Sequence, residues 1–430
     1  MQDEEWKYDN PISRETIEEL QLNTGGLVGA VASIEGTGRF VTGTRNDESV
    51  LGLNGETNHA STLGDRLTLH SVRDAQGEVL GLGSRGGEES EEQEAAGEGW
   101  EAVEEAWTAH EGAVTGIDTA GTFGDLGGVS GIVTSGGDGC LRLFELAIGG
   151  ETMSDGSVAL GPSFGLRGQV AAHADRATGV AATRRRCVTV GQDGAACLVD
   201  LHRLEETGGG RSGGVVWEGK AKGGLPLYGV AFQGESEEVF ATVGCDPHGQ
   251  LMVWDSRKDN RPAQTLSRFD AVSCSGEDYQ TPYLSVASQP FNPEVFACGT
   301  STGEVLMLDV RATTTNRAVH TMRPEKLAAP RGGTWGVTFH PRRPRHLLAC
   351  TGTGVLMRWF MPPLTTASTT PGLGPDAGDA SEWRAIRELH ELKSRSALVG
   401  VCYDEGTDTV SAVSRLGHLV IAHGVKGLRF

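Results

Sequence analysis

The feature that most constrains the fold of this 430-residue chain is a short segment that recurs at a near-constant spacing. Its clearest copy, VFATVGCDPHGQLMVWDSR, contains Trp254 and Asp255. At intervals of 51 to 55 residues, four further copies have an apolar residue at the position of Trp254: Phe144, Val199, Leu308 and Trp359. Intervals this regular indicate one repeat-built domain rather than two or three unrelated ones.

Each copy holds three short apolar runs, with glycine-rich turns between the second and the third. The first runs of the five clear copies are AVTGIDTA, ATGVAAT, LYGVAFQ, YLSVASQP and TWGVTFHP. Such runs predict strands, and 63 glycines supply the tight turns between them. Repeats of this kind pack as four-stranded blades around an axis, because each blade then buries both faces against its neighbours. The sequence therefore predicts an all-β propeller.

Two weaker copies flank the five clear ones. The first consists of VGAVAS, RFVTGTR and DRLTLHSV, with His70 at the position of Trp254, and the last consists of ALVGVCYD, TVSAVSR and HLVIAHGV. Seven blades are the main prediction, with six or eight as alternatives. Such rings usually close when an N-terminal strand pairs into the last blade, and we expect this strand near Trp6–Tyr8.

The predicted domain is a single seven-bladed propeller over residues 1–430. Two inserts interrupt the repeat: an acidic, glycine-rich stretch at about 83–99 and a stretch rich in proline, threonine and glycine at about 362–381. Neither insert shows apolar periodicity, so we expect both to be flexible loops. A smaller glycine-rich linker lies near Gly208–Gly214.

Composition excludes several classes of function. The chain has 37 Lys and Arg against 57 Asp and Glu, a net charge of −20, which argues against direct nucleic-acid binding. Its eight cysteines form no C-x-x-C pair and no histidine pair has zinc-finger spacing, so we expect no metal and no other cofactor. No apolar run is long enough to span a bilayer, which predicts no membrane insertion. Motifs of nucleophilic or phosphate-binding enzymes are absent, so we expect no enzyme activity.

The Trp254-Asp255 dipeptide makes the repeat resemble the WD40 family. In that family an Asp, a His and a Ser or Thr join the tryptophan in one hydrogen-bonded network per blade. Because these residues recur in several blades instead of converging on one site, their role here is expected to be structural. The matching positions are His110, Thr134, Asp138, Phe144, His173, Thr189, Asp193, Trp254, Asp255, Leu308, Asp309 and Trp359.

From the third copy onward the chain is similar to the small WD-repeat nucleoporin of the Y-shaped outer-ring complex. The segments that carry the resemblance are CVTVGQDG, LYGVAFQ, GQLMVWDSR, NPEVFACGTSTGEVLMLDVR and TWGVTFHPRRPRHLLAC. The W-x-V-x-F-H-P segment at Trp335–Pro341 is the most specific of them, and the resemblance is weak over residues 1–110. It implies a scaffold subunit of the nuclear pore complex at the nuclear envelope. It also implies a role in protein and mRNA transport, with other Y-complex subunits as partners, chiefly an α-solenoid nucleoporin.

Other functions remain as alternatives. The W-D-x-R sequence ending at Arg257 resembles the adaptor-docking motif of substrate receptors for cullin-type ubiquitin ligases. A propeller similar to peroxisomal import receptors is a third hypothesis. Two basic clusters, at Arg184–Arg186 and at Arg342, Arg343 and Arg345, fit solvated turns better than a nuclear-localisation or nucleic-acid site.

Overall fold

The fold consists of seven antiparallel sheets of four strands each, which confirms the predicted seven-bladed propeller. It is seen in a computed structural model that describes residues 16–22, 24, 27–34, 37–45, 65–73, 79, 100–122, 130–149, 161–207, 213–246, 250–266, 281–311, 318–322, 332–341, 343–360, 384–392, 395–404 and 409–423. Both predicted inserts, at 83–99 and 362–381, lie outside the described residues.

The blades follow one another along the chain. The first described strand is β1 (Thr16–Gln21). Blade 1 contains β2 (Val28–Ile34), β3 (Arg39–Thr44), β4 (Arg66–Arg73) and β5 (Glu101–Ala109). Blade 2 contains β6 (Val114–Thr122), β7 (Ser130–Gly136), β8 (Cys140–Ala147) and β9 (Ser163–Ala171). Blade 3 contains β10 (Ala177–Ala182), β11 (Arg186–Gly191), β12 (Ala195–Asp200) and β13 (Val215–Lys220).

The remaining blades repeat this arrangement. Blade 4 contains β14 (Leu227–Phe232), β15 (Val239–Gly244), β16 (Leu251–Asp255) and β17 (Gln264–Leu266). Blade 5 contains β18 (Tyr283–Gln289), β19 (Asn292–Thr300), β20 (Val305–Asp309) and β21 (Ala318–Met322). Blade 6 contains β22 (Thr334–His340), β23 (Arg343–Thr351), β24 (Val355–Phe360) and β25 (Arg384–Glu391). Blade 7 contains β26 (Leu398–Asp404), β27 (Thr409–Ser414) and β28 (His418–His423).

The ring closes through β1, which pairs with β28 and completes blade 7. The register runs from Thr16 opposite His423 to Gln21 opposite His418. The expected closing strand near Trp6–Tyr8 is therefore wrong in position, and these residues lie outside the described part of the chain. A strand at 16–21 needs only a short connection to β2, which begins at Val28, so the chain passes directly from blade 7 into blade 1.

The hydrophobic core is divided into seven clusters, one in each interface between neighbouring blades. The first strand of every blade contacts the first strands of both neighbours, so these strands form the inner wall of the ring. The cluster between blades 3 and 4 is the most aromatic, and the Trp254 ring in it is fully buried. The centroid of this ring lies 5.6 Å from that of Trp217 and 6.5 Å from that of Phe240. Burying a side chain of this size contributes about 3 kcal/mol through its apolar area alone.

One α-helix interrupts the all-β pattern in the described residues. α1 (Leu201–Thr207) follows β12 and packs Leu201 and Leu204, both fully buried, into the interface between blades 2 and 3. The run LHRLEET carries these two leucines three residues apart, which is the spacing of one helix face. It lies just before the glycine-rich linker near Gly208–Gly214, where no helix was expected.

Candidate functional site

Blade 3 forms an Asp–His–Thr network from three of the predicted residues. Nδ1 of His173 lies 3.1 Å from Oδ1 of Asp193, and Nε2 lies 3.3 Å from Oγ1 of Thr189. A carboxylate can only accept, so Nδ1 is the donor in the first contact. The other oxygen, Oδ2 of Asp193, accepts the backbone N–H of Ala174 at 3.0 Å. The network ties the loop before β10 to the turn between β11 and β12.

Burial controls protonation in this network. It lowers the pKa of His173, although the neighbouring Asp193 acts in the opposite sense. Burial also raises the pKa of Asp193, but hydrogen bonds from the backbone of Ala195 and the charge of His173 outweigh it and hold that pKa below its usual range. The pair is therefore a neutral imidazole beside a carboxylate at neutral pH, which stabilises the turn.

Blade 2 forms only part of the same network. Nε2 of His110 lies 3.0 Å from Oγ1 of Thr134, but Nδ1 is 2.7 Å from the carbonyl oxygen of Gly112. Asp138 does not reach the imidazole, because Arg142 binds its carboxylate at 2.5 and 3.2 Å. Burial raises the pKa of Asp138, but this arginine outweighs it and keeps the pKa below its usual range.

Blade 4 and blade 1 each contain a hydrogen bond between the ring at the Trp254 position and a second-strand threonine that is not among the predicted residues. Nε1 of Trp254 donates to Oγ1 of Thr242 at 2.8 Å. In blade 1, His70 stands at the position of Trp254, and its Nε2 lies 2.9 Å from Oγ1 of Thr42. His70 also stacks on Phe40, with ring centroids 5.2 Å apart. The signal was present in the sequence, since FVT of β3 and FAT of β15 place the threonine two residues after a phenylalanine.

Blades 5 and 6 lack this hydrogen bond. Leu308 is buried and apolar, and Nε1 of Trp359 has no partner among the described residues, because Ala349 occupies the place that Thr242 has in blade 4. The turns of both blades are instead held by threonine pairs. The two hydroxyl oxygens lie 2.9 Å apart in each pair, Thr300 with Thr302 and Thr351 with Thr353.

Two Asp-x-Arg sequences form matching ion pairs after the third strands of blades 4 and 5. Nε of Arg257 donates to Asp255 at 2.8 Å, and Nε of Arg311 donates to Asp309 at 2.9 Å. Hydrogen bonds from Arg257 lower the pKa of Asp255 to about 2. The same Asp–Arg ion pair recurs in two blades, which indicates that it is part of the local turn structure. The Arg257 guanidinium is bound by Asp255 of the same turn.

An aspartate missed in the sequence joins blades 2 and 3. Oδ1 of Asp118 accepts the N–H of Thr119 at 2.8 Å, and Oδ2 accepts the N–H of Ala182 at 2.7 Å. Burial raises the pKa of Asp118 to about 6 in spite of these two donors. The carboxylate links two inner strands through these backbone donors, which favours a structural role.

Every inner strand contains a bulge at the same place, one residue after its start. The skipped residues form a ring at one mouth of the central channel: Gly29, Thr115, Thr178, Tyr228, Leu284, Trp335 and Val399. Bulges turn side chains out of the regular ladder. Blades 4 to 7 therefore supply four large side chains to this rim, of which Trp335 is 50% exposed.

A glycine follows the bulge in five of the seven blades because the next inner strand lies very close. A Cβ atom on Gly336 would come within 2.9 Å of Sγ of Cys350 and 3.3 Å of the backbone N of Val401. A Cβ on Gly116 would likewise meet Oγ of Ser135 at 2.7 Å. The glycine that recurs after the bulge is thus a packing requirement of the ring.

The described residues do not converge on a reactive centre. The predicted positions are distributed over blades 2 to 6, one set per blade. No group of three or more His, Cys, Asp or Glu in the described chain is arranged to hold a metal ion. The helices found in the described segments are too short to cross a bilayer. The described surface consists of rigid turns and rims, which are suited to contacts with other proteins.

Comparison with known proteins identifies relatives of this ring. No protein-family model matches the chain. It is similar to nucleoporin Nup43 of Homo sapiens, with 30% identity over 183 residues, 42% of this chain and 41% of the relative. Nucleoporin Nup43 of Mus musculus matches to the same extent. The chain is a seven-bladed propeller similar to nucleoporin Nup43.

The relationship to Nup43 confirms the resemblance stated from the sequence. The match spans about two-fifths of the length of these relatives, at 41% of each. Their names agree with the predicted location at the nuclear pore. The comparisons give no support to the ligase-receptor alternative at Arg257.

Proposed function

We propose that this chain is a scaffold subunit of the outer ring of the nuclear pore complex, where it binds an α-solenoid nucleoporin of the Y-shaped complex. The observation that carries the proposal is the similarity to nucleoporin Nup43 over 183 residues, in a chain that folds as a closed propeller. Such a subunit supports protein and mRNA transport by its position and needs no catalytic step. The whole chain, residues 1–430, acts in this proposal as one propeller domain.

The shape of the molecule suits this role. A ring with seven interblade cores has little freedom to deform, so it can hold a partner at a fixed angle. Stable contacts between subunits bury roughly 1,200–2,000 Å² in total, and a propeller offers two faces and a rim of that size. Polar turns around an apolar centre, as at the channel mouth, are typical of such contacts.

The test is to tag the chain in cells and deplete candidate solenoid nucleoporins one at a time. We expect a signal at the nuclear rim and co-purification with Y-complex subunits. Loss of the solenoid that holds the chain in this proposal should disperse the rim signal. Arg257→Ala should leave both signals unchanged. A protein that never reaches the rim and co-purifies with a cullin adaptor through Arg257 would overturn the proposal.

A further inference from the structure

The turns between the first and second strands of blades 4, 5 and 6 are equivalent and lie side by side at one end of the ring. Their second strands are aligned, since equivalent residues face Trp254, Leu308 and Trp359 across the sheet. Five residues before each of those equivalent residues the sequence has Glu235, Phe291 and Arg342, of which Glu235 and Phe291 lie in the described turns of blades 4 and 5. Arg342 itself lies outside the described residues, and its neighbours Arg343 and Arg345 are described.

Phe291 is the most exposed large apolar side chain in the described chain, at 67%. Pro290 and Pro293 restrict the blade 5 turn that contains Phe291. The turn of blade 4 packs against this blade 5 turn. The backbone N of Gly234 donates to Oγ of Ser288 at 3.1 Å. The ring of Phe291 is therefore held out into solvent by an ordered turn, so little conformational entropy would be lost on binding.

Charge on the two sides of Phe291 is opposite. Glu235 is exposed on the blade 4 side, and the partly exposed Arg345 lies on the blade 6 side. The strands on either side of the blade 6 turn contain two buried histidines, His340 in β22 and His346 in β23. Burial, together with the nearby Arg358, lowers the pKa of His346 to about 3, so this histidine adds no charge at neutral pH. The order along the face is acid, aromatic, base.

Across blades 4, 5 and 6 this order therefore puts opposite charges on the two sides of Phe291. This order is its own complement when it is rotated by 180° about an axis through Phe291.

We infer that this face binds a second copy of the same chain through a two-fold symmetric contact centred on Phe291. In such a contact the same patch serves both partners. The two Phe291 rings meet at the axis, and Glu235 faces the partner subunit's Arg345 while Arg345 faces the partner subunit's Glu235. A polyanion such as RNA fits this face less well, because Glu235 and a net charge of −20 repel phosphate. The inference does not rest on the proposed nucleoporin role.

Sedimentation velocity of the purified full chain tests the contact, at an ionic strength of about 0.15 M, where charges interact over roughly 8 Å. We expect a dimer whose fraction rises with concentration. Glu235→Arg and Arg345→Glu should each raise the dimer Kd about tenfold or more, because each change occurs twice in the interface. The double variant Glu235→Arg with Arg345→Glu should form dimers again. Phe291→Ser should also raise the Kd, whereas Leu166→Ser, which alters a side chain 56% exposed on blade 2, should not.

A covalent trap gives an independent measurement. In oxidised glutathione, Phe291→Cys should form a disulfide-linked dimer, with glutathione taking up the two electrons, and Leu166→Cys should not. Three results would overturn the inference: a monomer at every accessible concentration, a dimer that ignores both charge reversals, or a double variant that stays monomeric while its melting temperature matches the wild type. A face that binds RNA with unchanged affinity in the Phe291→Ser variant would also contradict it.

Discussion

At the scale of single residues, the third-strand position that Trp254 occupies in blade 4 differs from blade to blade in the hydrogen bonds that it forms. Trp254, Trp359 and His70 all occupy that position, but their ring nitrogens have different neighbours. Thr242 and Thr42 provide a hydroxyl in blades 4 and 1, and the corresponding Ala349 in blade 6 does not. A buried polar atom without a partner costs free energy. The second strand therefore sets what the third-strand residue contributes to stability.

The two tryptophans should respond differently to the same substitution. Trp254→Phe removes the hydrogen bond to Thr242 and leaves that hydroxyl buried, so we expect a loss of about 1–2 kcal/mol beyond the packing change. Trp359→Phe removes an N–H that has no partner among the described residues, and should cost less. Trp254→Ala should cost roughly 3–5 kcal/mol. Urea unfolding measures all three, and equal costs for the two phenylalanine variants would contradict this account.

His70 should make stability depend on pH. Burial, followed by the charge of Arg66, lowers the pKa of His70 to about 3, against 6.5 as its ordinary value. Between these two pH values the unfolded chain binds a proton at His70 that the folded chain does not bind. The free energy of unfolding therefore falls as the pH drops from about 6.5 toward 3. Asp118, whose pKa is raised to about 6, acts in the opposite sense below that pH.

Comparison of the wild type with the His70→Phe variant isolates the contribution of His70 to this pH dependence. His70→Phe keeps the stacking on Phe40 but cannot titrate, so its melting temperature should fall less than that of the wild type between pH 7 and pH 5. The variant should be less stable than the wild type at pH 7, by about 1 kcal/mol, because Thr42 loses its partner. Parallel pH profiles for the two proteins would show that His70 has the same pKa in the folded and the unfolded chain, and would contradict this prediction.

At the scale of strands, the sequence predicted the first three strands of each blade, of which the second and third are buried on both faces. The inner, second and third strands carry apolar runs such as CVTVG and LMVWD, and they were found where expected. The closing strand β1 was misplaced because its sequence, TIEELQ, is mostly polar and pairs along one edge only. α1 was missed for a similar reason, since a seven-residue helix shows less than two turns of periodicity. The Asp–His contact of blade 3 was predictable, but Arg142, which binds Asp138 instead of His110, was not.

The position of the closing strand can be tested by two truncations. Removing residues 1–15 leaves the β1–β28 pairing intact and should change the free energy of unfolding little. Removing residues 1–22 exposes the edge of β28 and the cluster around Leu22, so we expect lower stability and aggregation. Denaturant unfolding and light scattering compare the two proteins. A large loss of stability after removal of residues 1–15 would indicate that the closing strand lies near Trp6–Tyr8.

The close approach of inner strands predicts a cost for adding one methyl group. Gly336→Ala places a Cβ against Sγ of Cys350 in the interface between blades 6 and 7, and we expect a loss of about 1–3 kcal/mol. Gly161→Ala is the matched control, because nothing lies within 4 Å of its Cβ position. That change should be neutral, or stabilising by a few tenths of a kcal/mol. Thermal unfolding of both variants provides the measurement.

At the scale of the whole molecule, the seven cores make the ring one cooperative unit. Each blade contributes to two clusters, so a change in one interface reaches its neighbours through shared strands. The closure by β1 joins the two ends of the described chain in one sheet. A ring built in this way tolerates insertion between strands, because a connecting segment takes no part in an interblade core. This explains how the repeat continues on both sides of the long inserts.

The acidic insert at 83–99 provides the test at this scale. Deleting it should change the free energy of unfolding by less than about 1 kcal/mol, because loop length enters the closure entropy only logarithmically. The deletion removes six glutamates and one arginine from a chain of net charge −20, which lowers the repulsion between copies. We therefore expect unchanged cooperative unfolding together with tighter self-association at low ionic strength. A deletion that destabilises the ring as much as Trp254→Ala would show that the insert packs on the blades and contributes to their stability.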